Sequence, residues 1–252
     1  MPSADGPIAA PRRCEAMAGV MKRYLPWIVG LIVLVAFLAV LPSGLTIVPI
    51  AEVEARAQSE IFDPVAFVDG IWQSQILPTV EEKAVDLSTI LASFEVDGAG
   101  LAKKDQLTEI ANQYGSITVG EAHVYLVRGT GVVTEINTES RTGVLSVDVD
   151  GYDGPVQVKI YLGPRIPSDE TGVRDAVGFI NFGDFREQTE YGQVGNEINK
   201  RIATAVLEPL DKTTLAGKQI SFQGAISIRT FNLVDINLSE ISIVPVQLSV
   251  VE

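Results

Sequence analysis

The sequence predicts an α+β protein: an N-terminal transmembrane helix, a short helical segment, then a five-stranded OB-like β-barrel with a helix between strands three and four. Three observations lead there. Residues 24–51 carry no charged side chain. Between residues 61 and 114, apolar side chains recur at helical spacing. Three consecutive stretches between residues 125 and 162 then read as strands, largely at period two, and two more come after a helical interval. The predicted organisation is a disordered or mis-started N-terminus (1–23), a signal-anchor (24–50), a helical segment (51–115) and the barrel domain (116–252).

The apolar run centred on residues 27–41 is long enough to cross a bilayer as a helix. Lys22 and Arg23 precede it. Glu52, Glu54, Glu60 and Asp63 come after it, with Arg56 the one base among them. Positive charge stays inside, so the N-terminus is placed in the cytoplasm and the rest in the periplasm, as a single-pass bacterial inner-membrane protein. The competing reading is a cleaved signal peptide. Ala55-Arg56-Ala57 has the form of a cleavage site but lies far downstream of the apolar run. Met21, directly before Lys22, is an equally sensible start.

Asp63 followed by Pro64 marks a helix start, with the acid as cap and the proline in the first turn. Val65, Val68, Trp72 and Ile76 share a face, and Pro78 is expected to end this helix. Thr79 and Glu82 have capping-box spacing. They open a second helix with Val80, Ala84, Leu87, Leu91 and Phe94 as its apolar face. A third, carrying Leu107, Ile110 and Tyr114, stops at Gly115. These stripes read as core packing.

Residues 125–136 read as one long strand, in which Gly129 and Gly131 allow a bend or bulge. Residues 145–149 and 156–162 alternate apolar and polar, the mark of half-buried strands. A polar loop (165–172) and a short helix (174–180) come next. Asp184 is placed to cap the helix after it, where Tyr191, Val194, Ile198 and Ile202 are helically spaced. Residues 220–228 give strand four. Residues 236–250 give strand five, with a phase change at Ser239 and Glu240 that reads as a bulge. Pro245 suggests an edge position.

The net charge is −13; only Arg12, Arg13, Lys22 and Arg23 among the bases, and Asp5 and Glu15 among the acids, precede Tyr24, so the remainder carries −15. Such a domain repels phosphate backbones and anionic headgroups. Nucleic acid is therefore not expected as a partner, although Arg128, Lys159 and Arg165 fall on or beside the strands. Cys14 is the single cysteine, which rules out an intramolecular disulfide and a Cys-based zinc site. His123, the one histidine, reads as a strand residue, and no serine has nucleophile-elbow spacing. Asp148, Asp150 and Asp153 lack the closing Glu of a calcium loop and read as a solvated turn. With 32 acids, no glycosidase-type pair can be singled out. No enzymatic activity, metal or cofactor is predicted.

The candidate binding residues lie within 163–185: Arg165, Arg174, Asp175, Asn181, Phe182 and Phe185. An Arg-Asp pair beside a Phe-rich link can bind an anion or a carbohydrate hydroxyl. The same pair can instead pin the loop onto the barrel end, with the phenylalanines as plugs.

Val156-Gln157-Val158-Lys159-Ile160, Gly163-Pro164 and the run Arg174-Asp175-Ala176-Val177-Gly178-Phe179-Ile180-Asn181-Phe182-Gly183-Asp184-Phe185 resemble a bacterial family of predicted periplasmic lipoproteins, described only as a domain of unknown function. The likeness extends to Trp72, Lys83-Ala84-Val85-Asp86-Leu87 and Tyr191-Gly192-Gln193-Val194, and so covers most of the chain after Glu60. It implies a cell-envelope protein often encoded near sugar ABC transporters. The expected role is accessory or interaction protein, with the inner membrane and such transporter components as partners. A sugar- or polyol-binding module is the alternative, and a hydrolase ranks third. The chain departs from the family at its N-terminus. No Leu-x-x-Cys lipid-attachment pattern comes after the apolar segment, so a protein anchor takes the lipid's place.

Overall fold

The computed structural model describes residues 24–36 and 62–251. Residues 24–36 are helical and exposed. Among the described residues no helix is long and apolar enough to cross a membrane. Of the expected anchor span, 24–50, residues 24–36 are described, as helix. Residues 37–50 lie outside the described residues, as does the predicted N-terminus 1–23 with Cys14. Residues 62–251 form one compact unit.

Asp63 caps α1 (Pro64–Ile71), accepting the N–H groups of Val65 at 2.9 Å and Ala66 at 3.1 Å. Pro78 does not end the helix, contrary to expectation. A π turn (Trp72–Ile76) intervenes, and the Leu77 N–H reaches back five residues to the Trp72 carbonyl. The wider turn makes room for the proline ring and its missing N–H, so the helix continues as α2 (Leu77–Lys83). The expected second helix is instead broken by a two-residue strand, β1 (Val85–Asp86). Asp86 then caps α3 (Leu87–Ala92) through the Ser88 N–H at 3.0 Å. β2 (Leu101–Lys103) leads into α4 (Lys104–Tyr114), which stops at Gly115 as expected.

After β3 (Ser116–Ile117) come β4 (Ala122–Asn137), β5 (Val144–Val149) and β6 (Gln157–Tyr161). The link to the next strand carries α5 (Gly172–Ala176), a 3₁₀ turn (Phe182–Asp184) and α6 (Gln188–Ile202), which ends in a π turn (Ala203–Leu207). β7 (Gln219–Arg229), β8 (Asp235–Asn237) and β9 (Glu240–Val250) complete the chain. Pairing runs β4, β5, β6, β9, β7 and returns from β7 to β4. Five strands thus close a ring of ladders, all antiparallel except β6 with β9. β1 lies parallel to β4 at Val85↔Val127, and β3 pairs with the start of β4. β2 and β8 form a separate two-stranded ladder.

Gly129 and Gly131 do not carry the bulge. The β4–β7 register runs through both without a break, and the β4–β5 register shifts at Thr134 instead. The glycines serve close approach: a Cβ on Gly131 would sit 2.3 Å from the Asp148 carbonyl oxygen of β5. Strand five is likewise divided. Residues 235–237 turn away to pair with β2, and the register shift falls beside Pro245, opposite Gly224. Pairing of β9 with β6 ends at Ile243, so Pro245 sits where no β6 partner needs its N–H. Asp184 caps its own 3₁₀ turn, accepting the Asn181 N–H at 3.2 Å, and not α6.

Alternation along the strands divides the core in two. Tyr125, Val127, Phe222 and Ile243 face inward with Leu87, Ile90 and Leu107 from α3 and α4. Leu126, Ala225 and Val244 face outward onto Val68, Trp72 and Ile76 of the first helix and Val194, Ile198 and Ile202 of α6. Both faces of the β4–β7–β9 side are therefore covered, which is why residues 123–127 are buried without a break. β5 and β6 keep one wet face and the predicted alternation.

Candidate functional site

An open cleft of about 740 Å³ lies at one end of the ring. One wall is the link between β6 and β7, with Arg174, Asn181, Phe182, Gln188 and Tyr191. The other is built from the β3–β4 hairpin and the end of β7, with Ile117, Val119, Arg229 and Phe231.

Arg174 and Asp175 form the base of the first wall, and both are nine-tenths buried at the side chain. The Arg174 Nε donates to Asp175 Oδ1 at 2.8 Å, and Nη1 donates to the Tyr191 carbonyl at 3.1 Å. The guanidinium carbon lies 3.6 Å from the Tyr191 ring centroid, a stacked cation–π arrangement. Asp175 accepts further from the Tyr191 hydroxyl at 2.8 Å and from Thr171 Oγ1 at 2.7 Å. Burial pushes the Tyr191 hydroxyl up to about 12, with the carboxylate of Asp175 adding to it, so the tyrosine remains a donor to that carboxylate. This knot ties α5 to α6. It places a fixed, internally matched charge pair under the cleft and spends the polar groups of Arg174 and Asp175 on each other, Tyr191 and Thr171.

Four of the six residues that the sequence singles out meet at this cleft: Arg174, Asp175, Asn181 and Phe182. Phe182 is exposed and packs its ring edge-on to Tyr191 at 5.5 Å. Phe185 turns the other way, into a cluster with Phe62 at 5.5 Å and Phe67 at 5.6 Å. Arg165 is exposed in the loop after β6, where its N–H donates to the Arg141 carbonyl at 3.0 Å. Neither of these two lines the cleft. Sequence reading missed the opposite wall. Its signal was apolar residues inside turns: Val119 between Thr118 and Gly120, and Phe231 after the end of β7.

At the rim, Arg229 pairs with Asp169 at 3.1 Å and approaches Glu170 at 3.6 Å. Burial raises the Glu170 carboxyl above its ordinary value, opposed by Arg229 and reinforced by Asp169. Among the described residues, no group of three or more His, Cys, Asp or Glu is placed to hold a metal ion.

His123 lies in β4, buried, with Nε2 3.4 Å from Thr108 Oγ1. Its Nδ1 meets no hydrogen-bonding partner among the described residues. Burial holds the imidazole below its ordinary value, helped by Lys104 and opposed by Glu121. The unfolded chain takes up a proton below about pH 6.5 that the folded chain resists. The histidine's contribution is therefore complete above that pH and is lost as the pH falls toward the folded value. Urea midpoints should drop between roughly pH 7.5 and roughly pH 5.5, and His123→Gln should flatten that drop. An equal drop in the variant would place its origin among the carboxylates.

The comparisons with known proteins bear on fold and family. An OB-fold protein of Thermotoga maritima, known from its crystal structure, superposes with a TM-score of 0.55 at 18% identity, covering 76% of this chain and 100% of its own. That likeness concerns the fold alone. No curated protein matches the chain. The sequence profile described as "Predicted periplasmic lipoprotein (DUF2291)" matches residues 33–249. With the profile spanning most of the chain, the protein belongs to this family of predicted periplasmic lipoproteins of unknown function.

Proposed function

We propose that the protein is a membrane-anchored periplasmic accessory module, an OB-type barrel that works by binding a partner at the cleft. The carrying observation is the cleft itself. It is open and mixes the exposed ring of Phe182 with the amide side chains of Asn181 and Gln188. Its floor is a charge pair already satisfied internally, which suits contact with a surface better than capture of a free anion. A sugar-uptake ABC transporter is the partner class implied by the family resemblance. Residues 24–50 serve as the anchor, with the N-terminus cytoplasmic. A photo-crosslinking side chain at Gln188 in intact cells is expected to capture an envelope protein that the same group at Val132 does not. Equal capture at both positions would remove the cleft from consideration.

A second reading, a sugar- or polyol-binding module, is favoured by one feature. An aromatic face beside planar amides and the Asp169–Arg229 pair is the lining that holds a sugar ring. Calorimetry with a panel of sugars and polyols tests it. Phe182→Ala should weaken any heat-producing member by about tenfold, the worth of roughly 1.4 kcal/mol. A folded protein that gives no heat with any member would end this reading.

A further inference from the structure

From Phe62 onward, ten large apolar side chains are exposed, and six of them lie together: Ile117, Val119, Phe182, Phe231, Leu233 and Val234. Four of the six line the cleft. The two loops that carry most of them are joined by the Thr230 hydroxyl, which donates to the Glu121 carbonyl, and both meet Lys104, whose N–H donates to the Val234 carbonyl at 3.0 Å and whose Nζ pairs with Glu121 at 2.6 Å. Val119 is fully exposed, at 101%, and Phe231 and Val234 are 61% and 73% exposed. Apolar side chains at the tips of turns gain nothing from the fold. A patch of this kind marks a contact with something else.

We propose that this end of the domain rests on the lipid surface, with Val119, Phe231, Leu233 and Val234 dipping into the headgroup–acyl boundary. The proposal rests on the membrane attachment argued above. Two observations choose lipid as the occupant. The first is where the chain enters. Phe62 meets Phe185 edge-on at 5.5 Å, Phe185 meets Tyr191 at a tilt at 5.5 Å, and Tyr191 meets Phe182 edge-on at 5.5 Å. The entry point and the patch are thus joined by one run of rings. Only residues 52–61 separate Phe62 from the uncharged segment 24–51. At about 3.5 Å per extended residue they reach at most roughly 35 Å, which keeps this end near the membrane. The second is charge. The bases beside the tips are already paired, Lys103 with Asp235, Lys104 with Glu121 and Arg229 with Asp169. The tips are therefore set among ion pairs in an otherwise acidic domain. Such a surface suits zwitterionic headgroups and does not depend on anionic lipid or low salt.

The test uses the full chain with Cys14→Ser, reconstituted in phosphatidylcholine vesicles. An environment-sensitive fluorophore is placed by V119C, F231C or V234C, and by V132C or V250C as controls toward the far ends of β4 and β9. A doxyl-labelled phosphatidylcholine should quench the first three labels several-fold more than the controls, at low and high salt alike. Val119→Ser with Phe231→Ser should abolish quenching of the label at 234 and leave the melting midpoint in place. If the chain fails to stay with the vesicles after alkaline washing, the anchor reading fails. If it stays and both ends are quenched equally or not at all, the seating on lipid is overturned. A spectral shift that grows with protein density but not with lipid quencher would assign the patch to a second copy and overturn it too.

Discussion

Arg174→Ala is expected to destabilise the folded unit by about 3–5 kcal/mol, the loss seen when one partner of a buried ion pair is removed. The Asp175 carboxylate, nine-tenths buried, would keep Tyr191 and Thr171 as its side-chain donors among the described residues. The stack on the Tyr191 ring would be lost as well. Asp175→Ala should also be costly, because it strands a buried cation. The double variant should cost less than the sum, since neither charge is then left alone. Arg174→Lys keeps the charge but not the fork or the stack, so it should fall between parent and alanine. Urea midpoints of the four variants decide the matter. A parent-like midpoint for Arg174→Ala would show that the pair does not hold the link. The outcome also governs how binding data are read. Arg174 ties together α5 and α6, one wall of the cleft, so lost binding in its variants says nothing about contact. Phe182→Ala, on the exposed lip, is the variant that isolates contact from stability.

The parts of this fold that were legible in the sequence are those whose reason is local. β5 and β6 have one wet face, so their residues alternate and the strands can be read. The same holds for α4, with its apolar face and Gly115 stop. β1, β2, β3 and β8 are two or three residues each, too short to show a period. They exist because a neighbour offers a free ladder, as β4 does for Val85 at Val127. The π turn at Trp72 was equally hidden. Pro78 is a helix breaker by its own chemistry, and only the register shift before it makes it tolerable.

The candidate site was half legible for a related reason. Residues 174–182 belong to one segment, and their composition drew attention to it. The facing wall comes from residues 116–122 and 227–231, far away in sequence, brought there because β4 and β7 pair with Ala122 opposite Arg229. The spacing of Tyr191 marks it as a residue on the apolar face of a helix. Its role as the plate under Arg174 depends on α5 and α6 meeting at one angle, which no local pattern encodes. Phe185 fell outside the cleft for the opposite reason. Phe62, just before α1, and Phe67 within it hold its ring and partly bury it away from the opening.

Phe222→Ala should cost about 3–5 kcal/mol, the range for deleting a fully buried phenylalanine. Phe222 is 1% exposed in the interior of the ring, on β7, which is laddered to β4 on one side and β9 on the other. Strands held on both sides cannot close over the void, so the cost should sit high in that range. Its neighbour gives the sharper test. A Cβ on Gly129 would lie 2.9 Å from the Phe222 Cζ. Gly129→Ala alone should therefore destabilise, by pushing the ring off its seat. In the Phe222→Ala background the same methyl group enters empty space and should recover part of the loss. The double variant is expected to be more stable than the two single costs predict, by about 0.5–3 kcal/mol of coupling. Strict additivity in urea unfolding would mean that the ring does not lie over Gly129. The placement of the Phe222 ring across the β4–β7 ladder from Gly129 would then have to be drawn differently.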